Sequence, residues 1–189
     1  ETALAGASVT TTYLGHSYGG AVVGLAETHG LDADRVVHVG SAGTGHDVYS
    51  PDDLPASQDD VQRFSMTAPN DPISFVQGAQ DNLDRARPDN VFGHGADPDE
   101  FDSVVQLHTG DYAEDSTKGS GPMYGAPAHS DVFDLDSDAW RNMVRVITGG
   151  EVETYRTPIP DPNGDGTLDH PVGWEDDGTM YDVTTGETR

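Results

Sequence analysis

The sequence predicts an α/β fold, a parallel sheet whose strands alternate with helices or crossover loops. Three observations carry that expectation. Four short runs dense in β-branched and apolar residues are separated by stretches too long for hairpin turns. Apolar residues recur at helical spacing after the first run and again after the last. A Gly-x-Ser-x-Gly pentapeptide, Gly15-His16-Ser17-Tyr18-Gly19, joins the first run to the first helical stretch.

The first run, Ser8-Val9-Thr10-Thr11-Thr12-Tyr13-Leu14, reads as a short buried strand. After the pentapeptide, Ala21, Val22, Val23, Leu25 and Ala26 form a helix closed by Gly30. Strand, sharp turn, helix is the setting that lifts a serine hydroxyl off the C-terminal edge of a sheet. The flanking glycines are expected because a side chain at either position would strike the neighbouring strand or helix. Asp34 to Ser41 is a second strand, apolar enough to be central, and it ends in the loop Gly40 to Gly45. The stretch Ser50 to Asp60, with Pro51 and Pro55, is polar and solvent-exposed. Val61 to Ala68 is a third strand, running into Pro69-Asn70-Asp71-Pro72-Ile73. Residues 78–103, rich in Asp, Gly and Pro, form an irregular excursion. Ser103 to His108 is a fourth strand, and a glycine-rich loop from Thr109 to Ala128 leads to His129-Ser130-Asp131. Ser137 to Thr148 is a last helix, with Trp140, Met143, Val144 and Ile147 as its apolar stripe, Asp136 or Ser137 at its start and Gly149 at its end.

Charge bounds the partners. Acidic residues number 34 against 9 basic ones, a formal charge of −25. Such a surface repels nucleic acid and anionic membranes. Abundant carboxylate with a single lysine, Lys118, fits an extracellular or high-salt setting as well as a generally acidic proteome. Cysteine is absent, so there is neither a disulfide framework nor a thiolate metal site. No run reaches the roughly 18 apolar residues of a membrane span, and no signal peptide is visible. Oligomeric state is left open.

A serine hydroxyl is a poor nucleophile until a base, itself oriented by a carboxylate, takes its proton. For a serine on such a strand-to-helix turn the partners follow in the order acid, then histidine. Asp71 lies beyond the third strand and His129 beyond the fourth. Asp47, Asp81 and Asp84 compete with Asp71. His94 and His108 compete with His129; His16 lies inside the pentapeptide and His38 in mid-strand, where packing is its simplest role. The backbone N–H of Tyr18, at the start of a helix, would meet a developing oxyanion. Residues 44–60 and 78–128 would supply a lid and substrate pocket.

Tyr13-Leu14-Gly15-His16-Ser17-Tyr18-Gly19-Gly20 with Val23-Gly24-Leu25-Ala26 resembles the elbow of the actinobacterial α/β-hydrolases once called domain of unknown function 1023. Val36 to Gly43, Asn70-Asp71-Pro72-Ile73, His129-Ser130-Asp131 and Asn142 to Gly149 extend the resemblance over roughly residues 3–150. It implies an α/β-hydrolase-type parallel sheet with flanking helices, lacking its N-terminal strands and the oxyanion loop they carry. It further implies a triad of Ser17, Asp71 and His129 and a hydrolytic reaction, without naming the bond cleaved; a small-molecule acyl substrate, with no cofactor for catalysis, is the accompanying expectation. The expected organisation is thus a hydrolase portion at 1–150 and an acidic tail at 151–189. In that tail Asp161, Asn163, Asp165, Thr167 and Asp169 match the opening of a calcium loop, but Val172 stands where the bidentate glutamate belongs. A plain Asp/Gly turn is the competing reading there. Residues 172–174 and 180–183 are expected to form a short hairpin. The alternative to an esterase-like serine hydrolase is a catalytically silent hydrolase-fold binding or surface protein, stabilised by calcium in one version.

Overall fold

The computed structural model describes residues 9–77, 94–101 and 103–155, and the strand backbones at 172–174 and 180–182. Four strands, β1 (Thr12–His16), β2 (Arg35–Val39), β3 (Gln62–Met66) and β4 (Val104–Gln106), form a parallel sheet in the order β1-β2-β3-β4. Helices α1 (Tyr18–Glu27), α2 (described over 73–77), α3 (Gly125–Asp131) and α4 (Asp138–Thr148) accompany it. This is the α/β class expected, consistent with an α/β-hydrolase fold. The chain divides into two compact units, Glu1–Ser65 with Phe75–Val105, and Met66–Ser74 with Gln106–Arg189.

In the first unit β2 is the centre. Val36, Val37 and Val39 are wholly buried, as a strand covered on both faces requires. Its pairing with β1 runs from Thr12 opposite Arg35 to His16 opposite Val39. That register moves the first strand towards the C-terminus of the run anticipated at 8–14. Val9 is exposed and outside it, whereas Gly15 and His16 belong to it. Helix α1 packs on β1 and β2 through its small residues, burying Gly20, Ala21 and Gly24. A Cβ on Gly24 would run into the Thr44 carbonyl. Val48, Ala96 and Phe101 make a second small core, with Leu54 and Val104 against it.

Two buried charges cross this unit. Arg63 on β3 donates from Nε and a terminal guanidinium nitrogen to Glu27 Oε1, at 2.9 and 2.8 Å, and its guanidinium also reaches the Gln58 carbonyl at 3.0 Å. Burial nonetheless raises the Glu27 carboxyl above its ordinary value, the Arg63 charge offsetting only part of the desolvation. His38, 2 % exposed, is the core histidine its mid-strand position suggested. Burial, and then the Arg63 charge, pull it down to about 4.

The second unit is tied together by α4 and the end of β4. Ser137 caps α4, its hydroxyl accepting from the Trp140 N–H at 3.1 Å, and Gly149 closes it in the left-handed conformation at φ 76°. The buried face is Ala139, Asn142, Met143 and Val146, so the anticipated stripe is rotated and Ile147 is half exposed. Asn142 explains the rotation. Its amide donates to the His108 and Glu153 carbonyls and accepts from the Glu153 N–H, all at 2.9 Å. Leu107 bridges Thr154 antiparallel, with Tyr155 N–H bonded to the Gln106 carbonyl at 2.8 Å. Farther on, β5 (Val172–Trp174) and β6 (Met180–Asp182) pair antiparallel.

Candidate active site

Ser17 occupies a strained turn. It has φ 55° and ψ −126°, a conformation that costs an L-residue of order 1–3 kcal/mol and persists only where neighbours impose it. Three backbone bonds do so. The Ser17 N–H donates to the Val39 carbonyl at 3.0 Å, and the Ser17 carbonyl accepts from Ala42 at 3.0 Å and Gly20 at 3.1 Å. Behind them, Gln77 Nε2 donates to the Ser41 carbonyl at 2.5 Å, and the Ser41 hydroxyl donates to the Gly43 carbonyl at 2.7 Å. The turn is thus held by the loop that follows β2.

Of the glycines around Ser17, Gly15 and Gly20 are sterically required. A Cβ on Gly15 would lie 2.5 Å from the Gly19 carbonyl, and one on Gly20 would meet the Ser41 side chain. Gly19 is different: a Cβ there meets nothing within 4 Å. The expectation that both glycines flanking the serine are crowded is corrected for Gly19, because α1 turns that position outward. Tyr18 opens α1, where helix geometry leaves the first N–H groups without intrahelical acceptors. Its exposed ring meets the His94 imidazole edge-on, with centroids 5.3 Å apart. The rest of that segment is stitched to the loop after β2, Gly45 N–H donating to the His94 carbonyl at 2.7 Å and Thr44 N–H to the Ala96 carbonyl at 3.0 Å.

In the second unit the structure brings Asp71 and His129 together. His129 Nδ1 lies 2.8 Å from Asp71 Oδ2, with the carboxylate 2 % and the imidazole 25 % exposed. Asn70, at φ 59°, reverses the chain after β3 so that Asp71 points inward. The other carboxylate oxygen accepts from the Ile73 N–H at 2.9 Å, at the start of α2. His129 is not in a loop, as the glycine-rich stretch suggested, but in the last turn of α3. Gly125, Ala126 and Pro127 fill the first turn, where proline's missing N–H costs nothing.

Of the competing residues, His94 is the one against Tyr18. Asp47 is exposed and paired with His46 at 2.8 Å. His108 continues β4, its N–H bonded to the Glu153 carbonyl at 2.9 Å. Asp81 and Asp84 lie outside the described residues, as does the calcium-loop candidate of Asp161, Asn163, Asp165, Thr167 and Asp169. Among the described residues no three His, Cys, Asp or Glu side chains cluster to hold a metal ion. No helix of the described residues is long and apolar enough to cross a membrane.

Two residues near α3 escaped the sequence reading. Tyr112 donates from its hydroxyl to Asp131 Oδ2 at 2.9 Å, and Lys118 lies 3.6 Å from Asp131 and 3.8 Å from Asp134. A solitary lysine in so acidic a chain was the available signal; nothing local marked the tyrosine.

No curated protein and no solved structure gives a significant match to the chain. Residues 2–80, less than half of it, match a family model described as alpha/beta hydrolase. That stretch contains Ser17 and Asp71, and ends before His129. Residues 2–80 are thus similar to α/β hydrolases, in keeping with the parallel sheet and flanking helices around them.

Proposed function

We propose that the protein is a serine hydrolase acting on an ester or related acyl bond of a small molecule, with Ser17 as nucleophile, His129 as general base and Asp71 as the residue that orients the imidazole. The observation that carries this reading is the bond between His129 Nδ1 and the buried Asp71 carboxylate. An Nδ1 engaged in this way assigns proton transfer to Nε2 and fixes the ring's tautomer. The strained backbone of Ser17 is the second support, since strain of this kind concentrates where a side chain must be presented.

In the proposed reaction the Ser17 Oγ attacks the acyl carbon as its proton passes to His129 Nε2. The carbonyl oxygen takes up the displaced electron pair and meets the Tyr18 N–H and the positive end of α1. Collapse of the tetrahedral intermediate breaks the bond to the leaving group, which accepts the proton from Nε2. Water, deprotonated by the same nitrogen, then attacks the acyl carbon, and the acid leaves as the bond to Ser17 Oγ breaks and Oγ takes the proton back from Nε2. A fluorophosphonate probe should label the native protein at Ser17, and the Ser17→Ala variant should be neither labelled nor able to turn over p-nitrophenyl acetate. Folded protein that resists the probe in both low and high salt would favour the silent binding module instead.

A further inference from the structure

We propose that Tyr112 is a positioning residue for His129, gripping the last turn of α3 through Asp131. The inference rests on the reading of His129 as general base. Helix α3 has only seven residues, no side-chain cap at its start and an exposed Tyr124 before it. A helix so short has little stability of its own and takes its orientation from its contacts. Its start is tied to the Asp71 loop by the Gly125 N–H, which donates to the Pro69 carbonyl at 2.8 Å. Its last turn is held by two side-chain bonds, His129 to Asp71 at 2.8 Å and Tyr112 to Asp131 at 2.9 Å.

Residues two apart on a helix project roughly 200° from each other. The two bonds therefore hold the turn from nearly opposite sides and oppose its rotation about the helix axis. Without the Tyr112 bond, the imidazole would keep its carboxylate partner but swing with the helix. Tyr112 can serve as an anchor because its own place is determined. Its N–H donates to the Gly121 carbonyl at 2.9 Å, Met123 N–H returns to the Gly110 carbonyl at 2.9 Å, and Asp111 bridges Pro122. A Cβ on Gly119 would press on the tyrosine ring at 2.6 Å. Burial and the bond to Asp131 push the phenol up to about 12, so it remains a donor throughout the working pH range. Lys118 contributes less. It is 43 % exposed and beyond hydrogen-bond distance of both carboxylates, an arrangement that solvent screens.

The test uses Tyr112→Phe, which removes one oxygen, with Asp131→Asn and Asp131→Ala as partners. Turnover of p-nitrophenyl acetate and the downfield proton resonance of the His129 Nδ1–H are both read, the resonance assigned by its loss in His129→Gln. Tyr112→Phe should lower kcat about tenfold at unchanged KM and broaden the resonance, the size expected of a slightly misplaced catalytic group. Asp131→Asn, whose amide oxygen still accepts from the phenol, should stay within about threefold of wild type, and Asp131→Ala should match Tyr112→Phe. A sharp, unshifted resonance in Tyr112→Phe, or equal effects of the two Asp131 variants, would overturn the proposal. Because the resonance does not depend on turnover, a change in it without any esterase activity would sink the hydrolase reading alone.

Discussion

Replacing Asp71 by asparagine probes the proposed chemistry with almost no change of shape. The carboxylate has two separate duties, one oxygen accepting from the Ile73 N–H at 2.9 Å and the other facing His129 Nδ1 at 2.8 Å. Asparagine has a single acceptor oxygen. The backbone N–H cannot be satisfied by an NH₂ group, so the amide oxygen is drawn to Ile73 and the NH₂ is turned towards His129. The imidazole then accepts at Nδ1 and carries its proton on Nε2, the nitrogen that must be vacant to act as base. In the serine-protease triad this same inversion of tautomer lowers kcat about 10⁴-fold, and a drop of that size is expected here. It corresponds to about 5.4 kcal/mol in the activation barrier. Steady-state turnover of p-nitrophenyl acetate by wild type and Asp71→Asn, with thermal melts to confirm folding, measures it. A loss below tenfold in a folded variant would refute the assignment of Asp71 as the orienting acid.

Two further outcomes concern the scaffold. His38 is neutral in the folded state down to about pH 4 but takes a proton near 6.5 when unfolded, so its contribution is complete above that value and is lost as pH falls from 6.5 towards 4. The window spans about 2.5 units, or about 3 kcal/mol, and urea denaturation at pH 7 and pH 4 should show His38→Gln losing that much less than wild type; parallel pH dependence in both proteins would dismiss the effect. Gly15→Ala should cost about 1–3 kcal/mol in thermal denaturation, since its methyl must displace backbone, whereas Gly19→Ala should be within about 1 kcal/mol of wild type. Equal losses would show that the crowding at the turn is misjudged.

The parallel sheet and its serine turn were legible because they rest on local signals that agree with one another. β-branched runs mark β1 and β2, and the glycine spacing marks the turn between strand and helix. The end of α4 at Gly149 was equally plain, and of the two residues expected at its start, Asp136 and Ser137, it is Ser137 that caps it. What escaped depended on contacts distant in the chain. Helix α3 was hidden because Gly125 and Pro127 are breakers in mid-helix but not in a first turn. The buried pair of Glu27 and Arg63 joins residues 36 apart in the chain. Its signal was the alternation on β3, where Val61, Arg63 and Ser65 all face inward while Gln62 does not. The bond from Asp71 to His129 was foreseen only as an order of residues along the chain. Its geometry needed Asn70 in the left-handed region, and α3 as the carrier of the histidine.

Two of the three bonds that impose the Ser17 conformation come from residues 39 and 42, beyond the whole of α1 and across a strand pairing. Until β2 has docked beside β1, only the local Gly20 bond is there to hold the serine in that shape. Parallel pairing over such a sequence separation closes a large loop and is intrinsically slow. Under the proposed function, reactivity of this hydroxyl is consequently a late acquisition of folding, and a chain stalled after its first helix would be inert however well that helix had formed.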